Sequence, residues 1–168
     1  MSKETIKAKA KLVIVDDVDT DQIFHQSLLT IHDPNEIKPH IFGNLEGYKS
    51  FGKEDNVGKI LLVGKNFGKG STRQQAVTGF IAHGITAIVG ESFGPIYYSN
   101  SVNSGLLLVE APGISEFNVK EDDDLEIDIT QSLIINQNNG ETIKCVKIPQ
   151  PVLDIIEAGG LLKLGEIM

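Results

Sequence analysis

The sequence holds a single cysteine, Cys145. One thiol closes no internal disulfide and falls short of the several thiolates that an iron–sulfur cluster takes. It stands in an apolar alternating stretch, which reads as a buried structural thiol. No apolar run approaches the ~20 residues that span a bilayer. The opening MSKETIKAKAKL lacks the apolar core of a secretory leader. A reduced, cytoplasmic setting with no membrane contact is the expectation. Positive charge is also short: 15 Lys and Arg face 23 Asp and Glu, for a net charge of −8. That balance argues against nucleic acid or an anionic membrane as the main partner. The histidines His25, His32, His40 and His83 lack metal-ligand spacing. The carboxylates of Asp16, Asp17, Asp19 and Asp21 lack the Gly and distal Glu of a calcium loop, so they read as a polar turn and no metal site is expected.

The 168 residues, 40% of them apolar, suffice for one well-buried domain. Residues 60–75, ILLVGKNFGKGSTRQQ, are the most informative stretch. An apolar run ends at a loop holding Gly64, Gly68 and Gly70, which passes into Ser71-Thr72-Arg73 and an amphipathic segment. Strand, glycine loop and helix start together direct unpaired N–H groups and a positive dipole end at one spot. Two hydroxyls and a guanidinium beside that spot suit a carboxylate or phosphate. Two commoner glycine motifs fail. The spacing from Gly64 to Gly68 is too short for a Walker A loop, and Arg73 stands where a dinucleotide fingerprint needs its third glycine.

Around this loop the patterning predicts a strand at 11–15, a helix over 71–83 closed by Gly84, and a strand at 86–89. It continues with a helix over 92–103 and a strand at 106–109. That order argues for parallel strands with right-handed crossovers. Strands at 125–129, 133–136 and 142–148, the last two flanking Asn139-Gly140, predict an antiparallel hairpin, and 151–158 a last helix closed by Gly159-Gly160. The segment 24–56, with Pro34, Pro39, Gly43, Gly47 and Gly52, reads as irregular with short helices. Ser71 and Gln74 also fit a capping box, S-x-x-Q, which alone would explain both residues.

Three blocks resemble the small subunits of the aconitase-superfamily hydro-lyases, among them those of 3-isopropylmalate dehydratase and homoaconitase. They are Asp19-Thr20-Asp21-Gln22-Ile23, Gly64 through Arg73, and Glu91-Ser92-Phe93-Gly94-Pro95-Ile96-Tyr97-Tyr98-Ser99-Asn100. They run in the family's order at about its spacing. The resemblance implies an α/β fold: a single swivel-type β/β/α domain over residues 1–168, with mixed parallel and antiparallel strands, like the last domain of single-chain aconitases. It implies a lyase subunit that dehydrates and rehydrates a hydroxy di- or tricarboxylic acid, foremost of the isopropylmalate type in leucine biosynthesis. Homoaconitate, dimethylmalate and other aconitase-like acids, or a non-catalytic anion-binding module, stand as alternatives. No cofactor is implied in this chain; a [4Fe-4S] cluster is expected in a partner large subunit. By the same resemblance Ser71 is the catalytic base, while Thr72, Arg73, Thr20, Asp21 and Lys69 surround the substrate. Leu28, Leu29, Thr30, Ile31 and His32 fall in the specificity loop of the 24–56 segment, with no Arg to meet a distal carboxylate. The chain departs from the family pattern where Gln74-Gln75 replace Glu-His.

Overall fold

The computed structural model describes residues 4–168; the first three residues of the stretch read above for a leader lie outside it. Strand β1 (Thr5–Val13) is the spine of a seven-stranded sheet. Its second half pairs in parallel with β2 (Ile60–Val63), which is followed by β3 (Ala87–Gly90) and β4 (Leu107–Glu110), all parallel. On its other side the first half of β1 pairs antiparallel with β5 (Asp124–Asp128), and β6 (Leu133–Asn136) and β7 (Thr142–Lys144) extend that wing. The spatial order is β4-β3-β2-β1-β5-β6-β7.

The start of β1 lies six residues before the predicted one. Its sequence, TIKAKA, alternates with a period of two, but Ala and Lys are weak strand formers. The missing stabilisation comes from across the sheet. Lys9 lies opposite Asp124 with a 3.1 Å ion pair, and Lys7 opposite Glu126 at 3.8 Å.

The parallel strands are buried on both faces, as their unbroken apolar runs require. One face carries Leu61, Val63, Ile88 and Leu108 against helix α3 (Gln75–Ala82), Tyr97 of helix α4 (Pro95–Asn103) and the 24–56 segment. The other carries Ile60, Leu62, Val89 and Val109 against Leu125, Ile127 and Ile134 of the antiparallel wing, with Val152 and Ile156 of α5 (Gln150–Ala158) at the margin.

The 24–56 segment is irregular with short helices, as expected. Helix α1 (Thr20–Ile23) leads into it, and it contains α2 (Pro34–Ile37) and single 3-10 turns at 26–28, 38–40 and 51–53. It is also a full part of the core. Phe42 stacks edge-on against Phe51, Phe67 and Phe80, and Ile37, Ile41 and Leu45 are buried with them.

Five further expectations need correction. Helix α3 begins at Gln75, not Ser71, so residues 71–74 remain loop. The S-x-x-Q box does not form, because Ser71 lies four residues before α3 and Gln74 itself stands at the N-cap, its side-chain amide donating to Ser104 Oγ (3.0 Å) and Thr78 Oγ1 (3.4 Å). Strand β7 ends at Lys144, since the chain then leaves β6 and Val146 N donates to the Glu110 carbonyl. Gly159-Gly160 does not close the chain's last helix but separates α5 from α6 (Leu161–Ile167). Finally, Cys145 is half-buried at the edge of the second core face, not enclosed.

Candidate active site

The three sequence blocks are the three loops that follow three adjacent parallel strands. Block one leaves β1, block two leaves β2, and block three leaves β3. The middle loop is laced to both neighbours. Toward the first, Gly68 N donates to the Val18 carbonyl (2.7 Å), Thr20 N to the Lys69 carbonyl (3.0 Å) and Lys65 N to Asp16 Oδ1 (2.8 Å). Toward the third, Phe67 N donates to the Ser92 carbonyl (3.1 Å), Gly94 N to the Phe67 carbonyl (2.9 Å) and Asn66 N to Ser92 Oγ (2.8 Å). Gly68 is required at the crossing point. Its φ is +82°, and a Cβ there would lie 2.3 Å from the Tyr97 ring. Tyr97 in turn donates its hydroxyl to the Ala76 carbonyl at 2.8 Å, which fixes the start of α3 against the loop.

The four carboxylates of the first block are each engaged within the protein. Asp16 accepts from Lys65 N, and Asp17 from the Asn66 side chain (3.1 Å). Asp19 forms a capping box with Gln22 at the start of α1. Asp21 accepts from Gln26 N (2.9 Å), Asn44 Nδ2 (3.1 Å) and Arg73 Nη1 (3.0 Å). The Gln26 N–H foremost, opposed by burial and then joined by the Arg73 guanidinium, holds the Asp21 carboxyl below its ordinary range.

Ser71 and Thr72 are exposed, and their hydroxyls have no hydrogen-bond partner among the described residues. None of the backbone N–H groups of residues 69–75 donates to an acceptor among the described residues. Gly70, at φ +101°, turns the chain just before Ser71. A run of unpaired N–H groups around an exposed hydroxyl is a ready acceptor for an anion. The predicted anion corner is therefore present, but it is built from loop amides ahead of α3 more than from the end of the helix.

The other predicted residues divide into two groups. Lys69 is exposed beside Ser71, with no ion pair among the described residues. Arg73, whose side chain is 10% exposed, donates through Nη1 to both Asp21 and the Phe24 carbonyl (3.1 Å). Its Nε and Nη2 donate no hydrogen bond among the described residues. Thr20 is buried, and its hydroxyl donates to the Ser71 carbonyl (2.8 Å). Thr20 and Asp21 therefore meet the loop from beneath and hold Ser71 and Arg73 in place. In the 28–32 stretch, Leu28 and Ile31 pack on the core, while Leu29, Thr30 and His32 are exposed.

Two contributors were not read from sequence. Asn44 steadies Asp21, and Gln75 donates to the Leu29 and Ile31 carbonyls (3.1 and 3.2 Å). Gln75 carried one available signal, its departure from the family pattern noted above. A cavity of about 370 Å³ lies at the sheet edge, lined by Phe93, Tyr98, Leu108, Glu110 and Lys147. No residue from 69–73 lines it, so this concavity and the exposed hydroxyl do not coincide in the isolated chain.

The profile of the Aconitase C-terminal domain matches residues 25–113. The 3-isopropylmalate dehydratase small subunit of Aquifex aeolicus is 36% identical over 147 residues, covering 88% of this chain and 86% of that protein. The isopropylmalate/citramalate isomerase small subunit of Methanocaldococcus jannaschii is 39% identical, covering 86% and 84%. The crystal structure of 3-isopropylmalate dehydratase from Methanocaldococcus jannaschii superposes with a TM-score of 0.85 at 34% identity, covering 97% of this chain and 94% of that one. The mixed, curled sheet with its helices is thus the swivel-type α/β fold of that structure.

Proposed function

This chain belongs to the aconitase C-terminal domain family, and from that premise we propose that it is the small subunit of a heteromeric hydro-lyase of the 3-isopropylmalate dehydratase type. Relatives so named, each covering most of this chain, support the reading. The single observation that carries it is the Ser71 corner: a free hydroxyl among unpaired loop N–H groups, with Lys69 and the guanidinium of Arg73 beside it.

Ser71 removes the proton from the carbon next to a substrate carboxylate. A serine hydroxyl is a poor base unless its oxyanion is stabilised, and the amides of 69–75 and the Lys69 ammonium provide that stabilisation. Thr72 and the free edge of Arg73 take the adjacent carboxylate. Thr20 and Asp21 hold these groups from behind. The 24–56 segment supplies the specificity loop, with the exposed Leu29, Thr30 and His32 facing the substrate's arm over Leu28 and Ile31. Leaving-group chemistry requires a Lewis acid, which in this family reading is a [4Fe-4S] cluster. One half-buried thiol, Cys145, does not supply its ligands, so the cluster belongs to a large partner subunit. The open surface around Ser71 suits a site completed by that partner. No helix among the described residues is long and apolar enough to cross a membrane.

The test is anaerobic co-expression with an iron–sulfur large subunit. The purified pair is expected to convert 3-isopropylmalate to its unsaturated product, and the chain alone to be inactive. Activity of the chain alone, or a purified pair that leaves every hydroxy acid of a panel unchanged, contradicts the proposal.

A further inference from the structure

Alternate residues of the 71–75 stretch hold the first segment of the chain. The Ser71 carbonyl accepts from Thr20, Arg73 reaches Asp21 and the Phe24 carbonyl, and Gln75 reaches the Leu29 and Ile31 carbonyls. The Gln75 contact stands apart. Its side chain is buried at the first position of α3, 8% exposed, and both protons of Nε2 are used, one on each carbonyl. Among the described residues these are the only hydrogen bonds that tie residues 28–32 to a distant part of the chain. The others run back to His25, Gln26 and Leu28 within the same turn. Thr30 sits exposed between the two held carbonyls, and Leu29 keeps 39% of its surface open.

We infer that Gln75 is a positioning residue for specificity: it latches the Leu29–Ile31 stretch in register with Ser71 and Arg73, and so sets how well a branched apolar arm is told from a short one. This rests on the reading of the chain as a hydro-lyase small subunit. The latch acts on the arm and not on the carboxylate, because Arg73 and Ser71 have their own ties to Asp21, Phe24 and Thr20. An apolar wall discriminates by close contact, and a wall free to move loses that contact first. The ligand class is therefore a malate carrying an alkyl group, with discrimination by the bulk of that group.

The experiment uses the anaerobically reconstituted complex and two probes, 3-isopropylmalate and 3-methylmalate, with wild type, Gln75→Met and Gln75→His. Gln75→Met keeps the length and removes both donors; Gln75→His retains a donor. In Gln75→Met the ratio of kcat/KM for the branched over the short acid is expected to fall roughly tenfold, through KM of the branched acid. Turnover of the short acid should stay within about threefold of wild type, and Gln75→His should restore part of the ratio. An unchanged ratio, or an equal loss on both acids, overturns the inference. Should Gln75→Met fail to assemble, the ratio in Gln75→His decides, with a value equal to wild type as the contrary result. A wild-type complex inactive on both acids means that the functional reading has failed and the specificity claim with it. Hydrogen exchange then still judges the latch, since the amides of 29–32 must exchange faster in Gln75→Met than in wild type for it to stand.

Discussion

At the scale of single residues, the proposed function separates groups that would meet a substrate from groups that hold them. Arg73 belongs to both. Its Nη1 is fixed by Asp21 and the Phe24 carbonyl, which aims the remainder of the guanidinium. Lysine can replace the charge at one contact but not the planar fork. Arg73→Lys is therefore expected to raise KM roughly tenfold with kcat within about threefold of wild type, as loss of uniform binding requires. Steady-state kinetics on the reconstituted complex provide the check, and an unaltered KM removes Arg73 from the binding role. Thr20 marks where residue-level reading stopped short. Its place in the D-T-D-x-I block pointed to the rim of the site, whereas its hydroxyl lies buried under the Ser71 carbonyl. A motif identifies which residues matter more readily than which way a side chain faces.

Among the elements, α3 links the site to the core through both of its ends. Gln75 at its start holds the 29–31 stretch, and His83 at its end faces the Lys38 carbonyl through Nε2 at 2.8 Å. His83 is fully buried, and its Nδ1 has no partner among the described residues. Burial foremost, with a smaller unfavourable effect of the Lys38 charge, pushes its pKa below the ordinary value; the Lys38 carbonyl opposes this. The unfolded chain takes up a proton near pH ~6.5, while the folded chain resists it. This contribution to stability is thus complete above pH ~6.5 and is lost as pH falls toward the depressed folded value, by up to ~1.4 kcal/mol per unit. Urea unfolding at pH 7 and pH 5.5 should show that drop in wild type and a flatter response in His83→Gln. Equal slopes would exclude His83 as the source. The parallel strands and the two helices between them were legible because they announce themselves in local apolar runs and glycine stops. The first half of β1 was not, because its Lys side chains are satisfied by Asp124 and Glu126, more than 100 residues away. The capping box at Ser71 failed as well. The helix starts only at Gln75, so Ser71 caps nothing, while Ser104, on the turn after α4, accepts from the Gln74 side-chain amide.

Across the whole molecule, an acidic chain presents a locally cationic, amide-rich corner. The net charge of −8 and the loop carrying exposed Lys65 and Lys69 beside the mostly buried Arg73 are compatible because the field at a site is set by its nearest groups. The 24–56 segment packs its Phe42 and Phe51 into the aromatic cluster of the core. In the proposed function, the exposed surface around Ser71 is what a large subunit would cover. The central claim is that one hydroxyl on this surface serves as the base for a reaction completed across two polypeptides. The most direct measurement compares wild type and Ser71→Ala in the anaerobically assembled complex, following the absorbance of the unsaturated acid. The account predicts that Ser71→Ala lowers kcat by at least ~10²-fold while substrate still binds; turnover near that of wild type would contradict it.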